Sequence, residues 1–426
     1  MMRQANLAIR EEGCATEVVT REKPIRLAPR VSVHAFCETI ETAAAIQAAG
    51  EDRRMARAHL RVRMGGLTAA IEAHQSSRTP NVLMLESESR KEDILAGLDQ
   101  LAKVCEGGTR IVIIGRMNDF AFYRELVRRG VSDYLGLPVT ASQIVRAVCG
   151  LFTAPNAEPV GRVVAIVGAK GGVGASTVAH NIAFAIVRDL MMDAVVTDLD
   201  LPFGTAGLDF NQDPPRGIAE AVFSPDRFDT AFVDRLLAKC TDHLSLLAAP
   251  ATLERVYDFG ADAFEAIFDS LRTTFPCVVL DVPHQWTAWT KQTLIGADDI
   301  LIVAAPDLAN LRNAKNLYDF LKAARPNDRP PLYCLNQVGV PKRPEIKLAD
   351  FAKALDEQPV AVIPFEPHVF GAAANNGQMI AEISATHRTA EMFCQLAQQL
   401  TGRAEPKKQR SGFLLPLIEK LVQRQA

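Results

Sequence analysis

The run Gly168-Ala169-Lys170-Gly171-Gly172-Val173-Gly174-Ala175-Ser176-Thr177 places glycines, one lysine and two hydroxyls between a β-branched stretch, Val163–Val167, and a helical one, Val178–Val187. Strand, glycine-rich loop and helix in that order is the context a phosphate cradle requires. The glycines let the backbone approach phosphates and turn successive N–H groups inward. Ser176 stands where a hydroxyl reaches Mg²⁺, and Thr177 follows it into the helix. Two carboxylate motifs follow, each at the end of an apolar run. Ala194–Thr197 ends in Asp198-Leu199-Asp200, and alternate residues of an extended segment point the same way. This pair can serve a ligand at the carboxyl ends of a parallel sheet or simply cap its own loop. Cys277–Leu280 ends in Asp281-Val282-Pro283-His284, and an Asp after a buried strand binds Mg²⁺ directly or through water. His284 has no second His at ligating spacing and reads as a loop residue. Leu332–Leu335 ends in Asn336, whose amide can meet both a donor and an acceptor. Val360–Ile363 ends in Pro364.

Positioning these residues takes alternating strands and helices, and the chain shows two such arrays. In the first, strands are expected at Val31–Phe36, Asn81–Leu85, Arg110–Ile114 and Val131–Leu135. Helices are expected at Glu41–Ala48, Ile94–Val104, Phe120–Arg129 and Ala141–Phe152. The Arg-rich stretch Glu51–Ala73 has no clear assignment. The second array begins at Val163 and runs to about residue 400. Two doubly wound parallel-sheet domains of the α/β class are predicted. The boundaries are a flexible tail at 1–30, a first domain at 31–152, a linker at 153–161 and a second domain at 162–401. A basic linker with a terminal amphipathic helix fills 402–426.

Composition narrows the function classes. The 426 residues carry 47 Lys plus Arg against 50 Asp plus Glu, a net charge of -3, which argues against an overall nucleic-acid binder. The eight cysteines lack CxxC spacings, so zinc, dithiol and haem motifs are absent and buried reduced thiols are expected. No apolar stretch reaches the length of a membrane span, which predicts a cytoplasmic protein.

The first array resembles a response-regulator receiver domain, most clearly in Gly130-Val131-Ser132-Asp133-Tyr134-Leu135-Gly136-Leu137-Pro138. The receiver's chemical residues are missing. Glu86 stands where the phosphate-accepting Asp is expected, the first strand ends in Phe36-Cys37-Glu38 with one carboxylate, Gly115 follows the fourth strand, and Leu137 stands where a Lys would precede Pro138. A pseudo-receiver that works through its surface is expected, since a phosphoryl group there has little to neutralise its charge.

The second array resembles the deviant Walker A ATPases: MinD, ParA and the nitrogenase iron protein. The mark is Lys170 ahead of the Gly-Gly pair. The resemblance implies ATP and Mg²⁺ as cofactors and a nucleotide-sandwich homodimer. Lys170 would reach across to the partner's phosphates, and Asp200 would orient the attacking water. Gly171 to Thr177 would cradle the nucleotide, Ser176, Asp198 and Asp281 would serve Mg²⁺, Asn336 would read the adenine edge, and Pro364 would pack near the base. Ala175 departs from the pattern, standing where a second lysine would contact the β- and γ-phosphates, so weak or absent hydrolysis is expected.

The pseudo-receiver, the loop KGGVGAST and the motifs TDLDLPFG, VVLDVPH, DLANLRNAKNL and IPFEPHVFGAAANNG occur together and in order. On these residues the chain resembles the CpaE/TadZ family of Flp (tight-adherence) pilus assembly proteins over about residues 31–400. The family implies a cytoplasmic, ATP-binding dimer that localises to a cell pole and helps place or assemble a pilus and secretion machine. A localisation scaffold with a vestigial nucleotide site is the alternative, and DNA is not expected as a partner. Phe413, Leu414, Leu417, Ile418 and Leu421 recur at helical spacing beside lysines and arginines, a stripe that suits either a membrane surface or a protein face.

Overall fold

The computed structural model describes residues 25, 27–75, 77–153, 160–223 and 230–403. The amphipathic stripe at Phe413–Leu421, most of the linker expected at 153–161 and the tail up to residue 24 lie outside these residues. Packing begins before the first strand: Ala28 is buried and its N–H donates to Arg54 O.

The first array folds as β1 (Val31–Cys37), α1 (Ile40–Gly50), β2 (Ala58–Met64), α2 (Gly66–His74), β3 (Val82–Glu86), α3 (Lys91–Leu101), β4 (Arg110–Gly115), α4 (Phe120–Arg128), β5 (Val131–Gly136) and α5 (Ala141–Leu151). Its five strands are all parallel in the order β2-β1-β3-β4-β5. Helices α1 and α5 cover one face through Ile46, Ile144 and Val148, while α2, α3 and α4 cover the other through Ala70, Leu98 and Leu126. The unassigned stretch 51–73 supplies β2 and α2. β2 is an edge strand whose His59, Arg61 and Arg63 alternate with half-buried Leu60 and Val62. Those charges mask the apolar face in the sequence.

The second array comprises β6 (Arg162–Gly168), α6 (Ala175–Leu190), β7 (Ala194–Asp198), α7 (Ala206–Asp209), α8 (Ile218–Phe223), α9 (Thr230–Leu236), β8 (Ala238–Lys239), β9 (Leu244–Leu247), α10 (Glu265–Thr274), β10 (Cys277–Val282), α11 (Ala288–Gly296), β11 (Asp299–Ala304), α12 (Leu308–Ala324), β12 (Leu332–Val338), α13 (Leu348–Leu355), β13 (Ala361–Pro364), α14 (Pro367–Asn376), α15 (Ile380–Ile383) and α16 (Arg388–Thr401). The eight-stranded sheet runs β13-β12-β11-β6-β10-β7-β9-β8, parallel except for the β8 edge. The central strands are buried on both faces, as their continuous apolar runs foretell. Helices α6 and α16 pack on one face and α10, α11, α12 and α13 on the other. Both sheets are therefore doubly wound, as expected.

A short 3₁₀ turn, Arg53–Met55, joins the two sheets. Buried Arg53 donates to Gly296 O at 2.6 Å, Asp298 Oδ1 at 2.9 Å and Asp328 Oδ2 at 2.8 Å. Arg57 adds a pair with Glu265 at 2.7 Å. No described helix is long and apolar enough to cross a membrane.

Candidate nucleotide site

The central strand β6 delivers the glycine loop to the N-terminus of α6. Gly174 is the N-cap residue, in the left-handed region with φ of 82°, and no side chain caps the helix. The first N–H groups of a 16-residue helix are thus left for a ligand, and the helix dipole favours an anion there. A Cβ on Gly174 would lie 2.7 Å from Asn336 Nδ2, so a side chain there would displace that amide and strain the left-handed backbone.

Asn336 is buried at the end of β12 and donates its amide to Val173 O at 2.8 Å; Gln337 donates to Gly172 O at 3.0 Å. Both amides brace the loop from behind. The adenine contact expected of Asn336 would have to use the rest of that side chain. Pro364 ends β13 in register with Val338. Lys170 is half exposed, and its Nζ lies 3.9 Å from Asp307 Oδ2 at the cap of α12. Ala175 is half-buried and packs against the core beneath α6. The first residue of the loop is held from the next strand, for His284 Nδ1 lies 2.8 Å from Gly168 O.

The carboxylates converge behind the loop. Asp281 and Asp198 are buried and face each other in register on β10 and β7. Asp198 accepts from Asp200 N at 3.0 Å and from Ala206 N at 3.1 Å, so both of its oxygens tie down the loop and α7. Gly204 is required there: a Cβ would lie 2.4 Å from Asp198 Oδ2. Burial, and next the charge of Asp281, pushes the Asp198 carboxyl up to about 7. Asp200 is partly buried and accepts from Phe203 N at 3.3 Å, and burial raises its value as well.

One residue at this site escaped the sequence reading. His180 of α6 is fully buried, with Nδ1 2.7 Å from Asp209 Oδ2 and Nε2 3.5 Å from Asp281 Oδ2. Burial pulls its value down, but the two carboxylates outweigh that and hold it up at about 10. The signal was present: a single histidine inside the apolar run Val178–Val187, four residues after Ser176.

Among the described residues no group of three or more His, Cys, Asp or Glu side chains is arranged to hold a metal alone. Mg²⁺ takes one or two carboxylates and completes its shell with phosphates and water. The residues present fit a magnesium nucleotide: an open helix N-terminus, Ser176 in its first turn and Asp281 at the neighbouring strand end.

The chain is similar to several known proteins. A family model described as an AAA domain matches residues 161–333. The septum site-determining protein MinD of Synechocystis sp. is 22% identical over 254 residues, 58% of this chain and 91% of that protein. The structure of a ParA family ATPase from Chlorobium tepidum TLS superposes with a TM-score of 0.50 at 21% identity, covering 56% of this chain and 98% of its own, which shows a shared fold. The crystal structure of a pilus assembly protein CpaE from Caulobacter crescentus CB15 is 47% identical, with a TM-score of 0.30, over 30% of this chain and 98% of its own. That structure corresponds to the N-terminal, receiver-like part. At this identity over nearly the whole of that solved chain, and with a MinD/ParA-type P-loop fold following, the chain belongs to the CpaE family.

Proposed function

We propose that this protein is an ATP- and Mg²⁺-binding switch that forms a homodimer through its nucleotide face and serves the assembly or placement of a pilus machine in the cytoplasm, at the cell pole. The uncapped N-terminus of α6 beside the exposed Lys170 carries this reading. The backbone N–H groups of residues 171–177 would bind the phosphates, Ser176 and Asp281 would hold Mg²⁺, and Asp200 would orient water. Bound Mg²⁺ would supply charge neutralisation between the phosphates. Asp198 supports this arrangement through the loop it ties down.

The dimer face has support of its own. Phe203, Trp286 and Leu308 follow β7, β10 and β11 and are 65%, 55% and 72% exposed. Three large exposed apolar side chains that follow strands of one sheet suit a partner's surface. The pilus context rests on family membership. Sedimentation velocity tests the switch: ATP with Mg²⁺ is expected to convert the wild-type chain to dimer and to leave Lys170→Ala monomeric. A dimer unchanged by Lys170→Ala contradicts the inter-subunit role of that lysine.

A second reading, a localisation scaffold that binds ATP without hydrolysing it, is favoured by Ala175. Its methyl packs on the core where a lysine would reach the phosphates.

A further inference from the structure

The site described above leaves one buried group without an assigned task. His180 is an imidazole with no exposure, flanked by Asp209 and Asp281 and near Asp198. Its Nδ1 is well placed on Asp209. Its Nε2 faces Asp281 within ion-pair distance but without an aligned hydrogen bond, so one polar atom of a fully buried side chain is left aimed at the Mg²⁺ carboxylate. Burying a polar atom so incompletely satisfied costs free energy and calls for an explanation, of which a neighbouring ion is one.

The connections around His180 form a closed circuit. Asp281 O accepts from Leu199 N at 3.0 Å. Asp198 fixes the following loop and the start of α7 through Asp200 N and Ala206 N. Asp209 ends α7 and returns to His180. Phe210 closes over the ring, with centroids 5.3 Å apart. On α6, Ser176 and His180 stand one turn apart on the same face. A side chain that touches Asp281 from one side and α7 from the other links the metal carboxylate to the loop that carries Asp200.

We propose that His180 is a positioning residue of the magnesium site: it fixes the Asp281 carboxylate and, through Asp209, ties the Asp198–Gly204 loop to the arrangement that accepts the metal. This rests on the nucleotide reading above. Outer partners of metal ligands set ligand orientation, and their loss lowers metal affinity by about 10–100-fold. The phosphate cradle is built from backbone and does not involve His180. Its removal should therefore separate metal dependence from nucleotide affinity, a split that loss of folding would not produce.

The test uses the full chain and a fluorescent ATP analogue, titrated in chelator and again across Mg²⁺ concentration. His180→Gln is expected to keep the metal-free affinity within about twofold and to raise half-saturating Mg²⁺ at least about tenfold. Asp209→Ala, at a partly exposed position, is expected to raise it in the wild-type background and to add nothing in the His180→Gln background. Should His180→Gln fail to fold, Asp209→Ala decides alone: half-saturating Mg²⁺ equal to wild type overturns the link. Equal Mg²⁺ dependence in wild type and His180→Gln, or additive effects of the two substitutions, overturns the role of His180 and leaves the nucleotide site standing. A wild-type chain that takes up no analogue in either buffer overturns the nucleotide reading itself.

Discussion

The two sheets end in the same kind of place and treat it oppositely. At the carboxyl ends of β1 and β3, Glu86 is buried and accepts from Glu38 N at 2.7 Å, Thr39 N at 2.9 Å, and the hydroxyls of Thr39 and Thr42 at 2.6 Å each. Its carboxylate sits at the N-terminus of α1, where an anion is favoured. Burial raises its value, but these donors outweigh it and hold the carboxyl below the ordinary range. At the carboxyl end of β6 the N-terminus of α6 has no side-chain cap; nearby, the buried Thr197 Oγ1 of β7 has no hydrogen-bond partner and His180 Nε2 meets Asp281 at 3.5 Å without a hydrogen bond. One edge is filled by the protein's own carboxylate; the other is left for an incoming anion. The topological position offers a site, and a single side chain decides whether it is kept open.

Breaking the joint between the two sheets should have the largest effect. Arg53→Ala removes the hydrogen bonds that this turn makes to Gly296, Asp298 and Asp328; Asp298 keeps Arg272 and Asp328 keeps Arg325, so the cost is that of the lost charge-assisted hydrogen bonds, about 1.5–3 kcal/mol each. Scanning calorimetry and limited proteolysis should show a destabilised chain cut between the sheets. Closing the open edge comes next. Gly174→Val places a side chain against Asn336 and demands a left-handed valine, so ATP affinity should fall at least about 100-fold by calorimetric titration.

Unplugging the closed edge should be milder. Glu86→Gln keeps one good acceptor for several donors and should cost about 1–3 kcal/mol. Because the folded-state value is depressed, the stability Glu86 confers is complete above the ordinary Glu value of 4.5 and drains away as pH falls below it. The variant's deficit should therefore shrink in melts run toward pH 3. Nucleotide affinity at the second sheet should not change. The smallest expected effect is a gain: Ala175→Lys should raise ATP turnover about tenfold by restoring one charged contact to the phosphates.

The closed edge and the open edge were not equally legible in the sequence. The open one shows in the chain because β6, the glycine loop and α6 are contiguous and strand ends carry Asp198, Asp200 and Asp281. The departure from the receiver pattern at Glu86, Gly115 and Leu137 is also readable, since it needs only the residue types. What fills that edge is not readable: Glu86 meets Thr39 and Thr42 across more than forty residues. His180, and the bracing contact of Asn336 though not Asn336 itself, were obscured for a related reason. Each works through a partner distant in sequence, Asp281 for one and Val173 for the other. β2 was missed because an exposed edge strand can carry His59, Arg61 and Arg63 without harm to its buried face.

The central claim, that the second sheet edge is open to a nucleotide and the first is closed, is tested most directly by calorimetric titration of ATP with Mg²⁺ into the full chain and into Gly174→Val and Glu86→Gln. One ATP per wild-type chain, binding lost in Gly174→Val and unchanged in Glu86→Gln, is the predicted result. No heat of binding at millimolar ATP, or binding that survives Gly174→Val, would contradict it.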